Sequence, residues 1–383
     1  MTELITPTGR VHWLGTGLST GSGLGLICDG VPSTMLWGRT EAKAEACLDR
    51  LGLSGRAVTR ALEPGALEAE LAAGDLVVSM LPASWHSDIL QLALDSEAHF
   101  ACSSYVSPDM AAQAQTARKA GLVILTESGL DPGIDHLLGH ELVRRAAAAI
   151  GDRPATARFT SYCGSNPAVA NEFRYLFSWA PLGVLTALLT PARYIADGVE
   201  KVGERPWEAV EKLTISGEPF EVYPNRDSLP FVATYRFPAT WQLETFVRGT
   251  LRLDGWSEAW AQVFTRLREE DDDGIAALAD DLARRYPNTP ADRDRVVMAV
   301  ALEVSAGDGT TWSGDYVLNA VGDDTESATS RLVTVPLAGG SLEIVGGRTA
   351  PGLHQAADAS ESVRRWLTFL SAQGITAEFR GEQ

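Results

Sequence analysis

Short apolar runs alternate with amphipathic stretches through the first third of the chain. The runs at residues 11–14, 34–37, 76–81, 99–103 and 122–125 are each brief and bounded by Gly, Pro, Asp or Ser. Such runs suit strands buried on both faces of a parallel sheet. Between them, residues 41–51, 87–94 and 109–120 carry helical spacing, the last following Ser107-Pro108, a cap with proline in the first turn. Strand, helix, strand in this order predicts an α/β fold with a doubly wound parallel sheet of the Rossmann type.

A helix is expected from Gly133 to about Ile150, and beyond it the rhythm changes. Runs at 158–162, 231–237, 245–253, 296–304 and 316–321 read as strands with fewer helices between them, which predicts a mixed α+β second domain. Gly307-Asp308-Gly309 separates two of these runs as a hairpin turn would. The acidic run 269–273, closed by Gly274, with the breakers Pro287 and Pro290 beyond it, reads as a solvated connection. An amphipathic stretch at 357–370 completes the pattern. The expected organisation is a dinucleotide-binding domain over 1–135, a substrate-binding domain over 136–350, and a C-terminal helix within 351–383 that packs back on the first domain.

A length of 383 residues fits two domains, and 45% hydrophobic with 21% charged residues is ordinary for a globular protein. The formal net charge of -18 argues against a nucleic-acid partner, although a few arginines can still hold small anions. Cys28, Cys47, Cys102 and Cys163 form no CxxC pair, so neither a zinc ribbon nor a disulfide framework is expected, and a reducing cytoplasm fits. No stretch approaches about 18 uninterrupted apolar residues, and the N-terminus lacks a basic-then-apolar signal pattern, so no membrane is implied. His136 and His140 are four apart, but no third ligand is in frame and no metal is expected.

Candidate chemistry begins where the first run ends. Gly15-Thr16-Gly17 leads through Leu18, Ser19 and Thr20 into a helical pattern. Glycines there allow a sharp turn and close approach of a pyrophosphate, and the helix start offers free amides. Thr20 stands where a third glycine is usual, and Gly21 comes one place late. A plain glycine-rich turn is the alternative, but the loop's place after the first strand of an alternating region favours a dinucleotide. At the end of the second run, Gly38-Arg39-Thr40 offers a cation for the extra phosphate of NADP, while Glu41 leaves NAD open.

Further strings carry a family resemblance. They are Ser79-Met80-Leu81-Pro82 with His86, Ser103-Ser104-Tyr105-Val106-Ser107-Pro108, Gly129-Leu130-Asp131-Pro132-Gly133-Ile134-Asp135-His136 and Ser161-Tyr162-Cys163-Gly164. They continue with Phe177-Ser178-Trp179, Tyr223-Pro224-Asn225-Arg226-Asp227-Ser228 and Val247-Arg248-Gly249-Thr250-Leu251-Arg252. In this order the chain resembles the saccharopine dehydrogenase family of the NADP, L-glutamate-forming type, over residues 11–264 and more loosely beyond. The resemblance implies NADPH-dependent reduction of the imine of glutamate and 2-aminoadipate 6-semialdehyde to saccharopine, or the reverse oxidation. It implies Leu81, Pro82, Ser103 and Ser104 beside the cofactor. It places Ser104, Tyr105, Asp131, Arg226, Arg248, Gly249 and Thr250 on substrate, with Tyr105, Asp131 and Cys163 as the acid/base candidates.

Plainer roles stand beside these. Arg226 has Asp227 as a local ion-pair partner, Asp131 sits where a helix cap is wanted, and Cys163 is a packed thiol if it is nothing more. Leu18-Ser19-Thr20 departs from the family's usual Phe-Val-Ala, and the acidic connection is too short for the helical insertion of fungal members. A related imine-reducing family, carboxynorspermidine synthase, and an NADP-binding module without turnover are the competing readings. A homodimer is left open.

Overall fold

The computed structural model describes residues 3–177, 180–289 and 291–381. Ser178, Trp179 and Pro290, used in the sequence reading, lie outside the described residues. In chain order the strands are β1 (Arg10–Leu14), β2 (Ser33–Gly38), β3 (Val58–Ala61), β4 (Leu76–Ser79), β5 (His99–Cys102) and β6 (Val123–Thr126). Then come β7 (Ala155–Pro167), β8 (Ala192–Ala196), β9 (Val199–Gly203), β10 (Glu211–Ile215), β11 (Glu218–Pro224) and β12 (Trp241–Leu253). The last four are β13 (Asp294–Ala306), β14 (Thr311–Val321), β15 (Gly352–Gln355) and β16 (Glu378–Gly381).

The chain divides into two compact units, one running to Leu137 and including Ser330–Ile375, the other comprising Leu138–Thr329 and the segment from Thr376. In the first unit the sheet order is β15-β6-β5-β4-β1-β2-β3, with every neighbouring pair parallel. β4, β5 and β6 are buried throughout, which is why each reads as an unbroken apolar run. Between β1 and β4 the winding reverses, and that switch opens a ligand crevice at the carboxyl ends of the strands.

Both edge strands, β3 and β15, escaped the hydrophobic pattern. Each has four residues, mostly half-buried, and each includes polar side chains as edges do. The expected helix at 109–120 is two, Pro108–Ala112 and Ala114–Ala120, broken at Gln113. The expected limits 136–350 and 351–383 also differ from the observed division. Most of helix Ala328–Val345 belongs with the first unit, because Gly339 and Gly340 bring it against Phe369 and Trp366 of helix Ser360–Ala372.

The second unit is built on a mixed sheet of order β10-β11-β12-β7-β13-β14-β16, with β8 pairing β12 and β9. β12 and β7 are parallel and the other pairs antiparallel. β13 and β14 form the expected hairpin. One expected strand is absent: residues 231–237 instead begin in helix Pro230–Thr234. Pro230 occupies its first turn, and Phe231 and Tyr235, four apart, are buried as helical neighbours. The acidic run does more than connect, since Asp271 caps helix Asp272–Arg285 by accepting from the Gly274 N–H at 3.0 Å. Among the described residues no helix is long and apolar enough to cross a membrane.

Candidate functional site

In the first unit the sequence-derived cofactor residues gather at the carboxyl ends of β1, β2, β4 and β5. Gly15 takes a φ of +115°, and a Cβ there would sit 2.9 Å from the Met80 carbonyl oxygen. No atom lies within 4 Å of where a Cβ on Gly17 would be, so the outer side of the loop is open. Thr16 and Ser19 are half-buried and Leu18 is exposed. Thr20 replaces the third glycine by tying the loop: its hydroxyl donates to the Gly15 carbonyl at 3.0 Å. Close helix packing falls to Gly23 instead, where any Cβ would collide with the Thr334 carbonyl oxygen.

At the end of β2, Gly38 is forced by the Thr40 carbonyl and the Ala44 amide, 2.8 and 2.9 Å from a Cβ position. Thr40 caps helix Glu41–Arg50. Arg39 is exposed and has no hydrogen bond or ion pair among the described residues, whereas Glu41 accepts from Thr59 at 3.2 Å. An open amide-bearing turn and an uncommitted guanidinium one strand away fit a dinucleotide with a second phosphate on its ribose. Leu81 and Pro82 follow β4, and Ser103, Ser104 and Tyr105 follow β5.

Tyr105 donates its phenol to Asp131 Oδ1 at 3.1 Å. Asp131 is half-buried and precedes a cis proline, Pro132. The Gly133 N–H at this helix start is taken by Asp135 Oδ1 at 2.6 Å. Beneath the pair lies a polar network centred on Glu127, which is fully buried at φ 55°. Glu127 accepts from the Val106 N–H at 3.0 Å, from Gln355 at 3.0 Å, and pairs with His136 Nε2 at 2.9 Å. Burial pushes its pKa up, yet the His136 contact and the other two donors outweigh it and hold the carboxyl below its ordinary value. The network thus pins both the segment bearing Tyr105 and the one bearing Asp131.

In the second unit β7, β12 and β11 present one polar row. Thr250 stands in register with Cys163 on β7 and Tyr223 on β11, so the three share a face. Arg248 and Arg252 flank Thr250 on that face at period two. Gly249 points the other way, with the Tyr162 ring 2.9 Å from its Cβ position, so its need for a bare hydrogen is one of packing. Arg248 is buried, its guanidinium 4.2 Å from the centre of the Phe231 ring. Cys163 is buried and forms no disulfide. Arg226 is exposed at φ 55° on the loop after β11. Asp227, its supposed partner, pairs with Arg193 at 2.9 Å.

Arg252 closes the 247–252 motif, where the family resemblance implies no role for it, and the structure makes it conspicuous. It is 8% exposed, ringed by Tyr175, Tyr223 and Trp256, and donates to Tyr223 Oη at 3.0 Å and the Leu251 carbonyl at 3.1 Å. No carboxylate lies within ion-pair distance among the described residues. Its alternation with Arg248 and Thr250 was the signal available. Glu127 and Gln355 offered none, because they meet only through tertiary pairing. His136 is part of this network, His140 packs edge-on against Tyr235 with ring centres 5.5 Å apart, and no metal-holding cluster occurs among the described residues.

Comparison with known proteins agrees with this architecture. Residues 11–125 match the family model described as saccharopine dehydrogenase NADP binding domain, and residues 129–375 the saccharopine dehydrogenase C-terminal domain. A saccharopine dehydrogenase (NADP+, L-glutamate-forming) of Pyricularia oryzae is 39% identical over 202 residues, 51% of this chain and 44% of that protein. The protein of the same description from Saccharomyces cerevisiae is 36% identical over 226 residues, 57% of this chain and 49% of that one. The chain thus spans about half the length of the curated relatives it matches. The solved apo saccharopine dehydrogenase (L-Glu forming) from Saccharomyces cerevisiae superposes with a TM-score of 0.82 at 25% identity, covering 98% of this chain and 100% of that one.

Proposed function

Because the chain belongs to the saccharopine dehydrogenase family, we propose that it oxidises saccharopine with NADP+, or forms saccharopine by reducing the imine of glutamate and 2-aminoadipate 6-semialdehyde. The observation that carries this reading is the Tyr105–Asp131 hydrogen bond beside Ser104, at the sheet edge that also bears the open glycine loop. The cofactor is held by the Gly15–Ser19 loop, by Gly38, Arg39 and Thr40, and by Leu81, Pro82, Ser103 and Ser104. It supplies or accepts the hydride at the C–N bond.

The remaining chemistry belongs to the side chains. Hydride addition to an imine carbon requires a proton on nitrogen, and oxidation requires its removal. Asp131, with the Tyr105 phenol on one oxygen, binds the substrate nitrogen and serves this transfer, and Cys163 is the alternative acid/base. The substrate is a polycarboxylate, so permanently charged planar forks suit it, and Arg226, Arg248 and Thr250 take its carboxylates. A reducing cytoplasm is compatible with four cysteines that form no disulfide.

The test follows nicotinamide absorbance with saccharopine as donor, NADP+ and NAD+ in parallel. Turnover preferring NADP+ is expected. Asp131→Asn is expected to lower kcat about 100-fold or more, since positioned acid/base groups contribute on that order. Binding of NADPH without turnover of saccharopine would replace the proposal with a cofactor-binding module; Arg226→Ala is expected to raise the saccharopine KM greatly, and an unchanged KM would remove Arg226 from the site.

A further inference from the structure

The loops after β4 and β5 are joined by one imidazole. His86 Nδ1 lies 3.0 Å from Ser79 Oγ, at the end of β4, and Nε2 lies 2.9 Å from Ser104 Oγ, just past β5. His86 opens helix His86–Asp95 and packs edge-on against Phe100. Burial drives its pKa down to about 4, so the ring is neutral near pH 7 and carries a single proton.

Hydrogen-bond accounting decides which nitrogen holds that proton. Ser79 is 1% exposed, and His86 is the sole partner of its hydroxyl among the described residues. Were Nδ1 protonated, it would donate to Ser79 Oγ, and the Ser79 O–H would be a buried donor with no acceptor, a state folded proteins avoid. With the proton on Nε2 the conflict disappears. Ser79 O–H donates to Nδ1, and Nε2–H donates to Ser104 Oγ. The Ser104 oxygen then accepts from the imidazole, and its own hydrogen is turned away from His86, toward the half-buried side of the residue.

We propose that Ser79 and His86 are positioning residues that turn the Ser104 hydroxyl hydrogen away from the imidazole and aim it at an acceptor oxygen of the bound ligand. The chemical class is a carboxamide or carboxylate oxygen. Under the function proposed above, on which the choice of ligands rests, the first source is the carboxamide of the nicotinamide and the second a carboxylate of the amino-acid substrate. The Ser104 hydrogen needs an acceptor, which a ligand oxygen supplies and an ammonium or imine N–H does not. Hydride transfer is untouched by this chain of hydroxyls, which acts only by fixing the direction of one proton.

Two measurements test it. Protein labelled with nitrogen-15 at histidine reports the tautomer of each imidazole, with His86 assigned by its loss in His86→Gln. The Nε2–H form is expected in the wild type, and a fraction of the Nδ1–H form in Ser79→Ala. A wild-type Nδ1–H ring overturns the proposal whether or not saccharopine is turned over, so this outcome is separate from failure of the proposed activity. The second measurement is a double-mutant cycle in affinity, read by NADPH fluorescence and, in the NADP+ complex, by glutamate titration. Ser104→Ala is expected to weaken one of the two ligands about tenfold, the worth of one hydrogen bond to a ligand oxygen. Ser79→Ala should weaken the same ligand several-fold alone and add nothing in the Ser104→Ala background, while Ser79→Thr, which keeps the hydroxyl, restores it. A Ser79→Ala effect that persists in the absence of the Ser104 hydroxyl, or no effect on either ligand, overturns the proposal.

Discussion

Arg252 carries a positive charge into a place with three aromatic rings and, among the described residues, no ion-paired carboxylate, and such a cation is costly to bury unless something offsets it. The rings supply part of that as cation–π attraction. A bound carboxylate would supply the rest, and Arg252 lies on the same face as Thr250 and Cys163. Arg252→Met is therefore expected to raise KM for the carboxylate substrate about tenfold or more while leaving Tm unchanged or higher, as isosteric apolar replacement of a buried charge often does. A fall in Tm with unchanged KM would assign Arg252 to packing alone. For the cofactor, Arg39→Ala is expected to weaken NADP+ roughly 10- to 100-fold and NAD+ hardly at all, by parallel Kd measurements. Residues of this kind were legible in part. Arg39, Tyr105 and Asp131 stand at strand ends or in motifs, where sequence position implies location. Arg252 was not, because a buried arginine reads like a surface one until its neighbours are known.

Elements depend on contacts that single residues permit. Helix Gly23–Gly30 lies so close to helix Ala328–Val345 that Gly23 cannot carry a side chain. Gly23→Ala is expected to cost about 1–3 kcal/mol by overpacking, measured by denaturant unfolding, and to weaken NADPH binding because the glycine loop leads into that helix. Asp75 secures the start of β4: burial raises its pKa, but hydrogen bonds from His12, Thr8, the Ala72 N–H and Arg10 outweigh it and hold it at about 2. Trp37 donates to His12 Nδ1, so Nε2 carries the hydrogen that meets Asp75. A carboxyl whose folded pKa lies below its unfolded value stabilises the fold above the unfolded pKa and loses that contribution as pH falls through the folded one. Stability should decline by about 2 kcal/mol from this group between roughly pH 4 and pH 2, a step that Asp75→Asn removes. The central strands were legible because burial on both faces leaves an uninterrupted apolar run. β3 and β15 were not, because half-buried edges carry no such run, and helix Pro230–Thr234 was mistaken for strand because five residues are too few to show a period.

At the scale of the molecule, the first unit is assembled from two distant stretches of sequence, and its last strand and two covering helices come from beyond residue 329. Alternation of strand and helix exposed the early stretch plainly. The late stretch was hidden, because membership in a sheet two hundred residues away is set by pairing and not by local pattern. The pairing is specific: β15 meets β6 in register from Gly352↔Val123 to Gln355↔Thr126, and Gln355 continues into the Glu127 network that supports the loop of Asp131. A chain ending at Thr329 would leave β6 as an open edge, remove Trp366 and Leu370 from the core, and strip Thr334 from Gly23. Such a truncation is therefore expected to lose cooperative thermal unfolding of the dinucleotide-binding unit and measurable NADPH affinity together, although the glycine loop, Arg39, Ser104 and Tyr105 all remain in it. Hydrogen exchange should locate the damage first in β6 and helix Gly23–Gly30. Retention of a cooperative melt and an unchanged NADPH Kd would mean that residues 330–375 only decorate a unit complete without them.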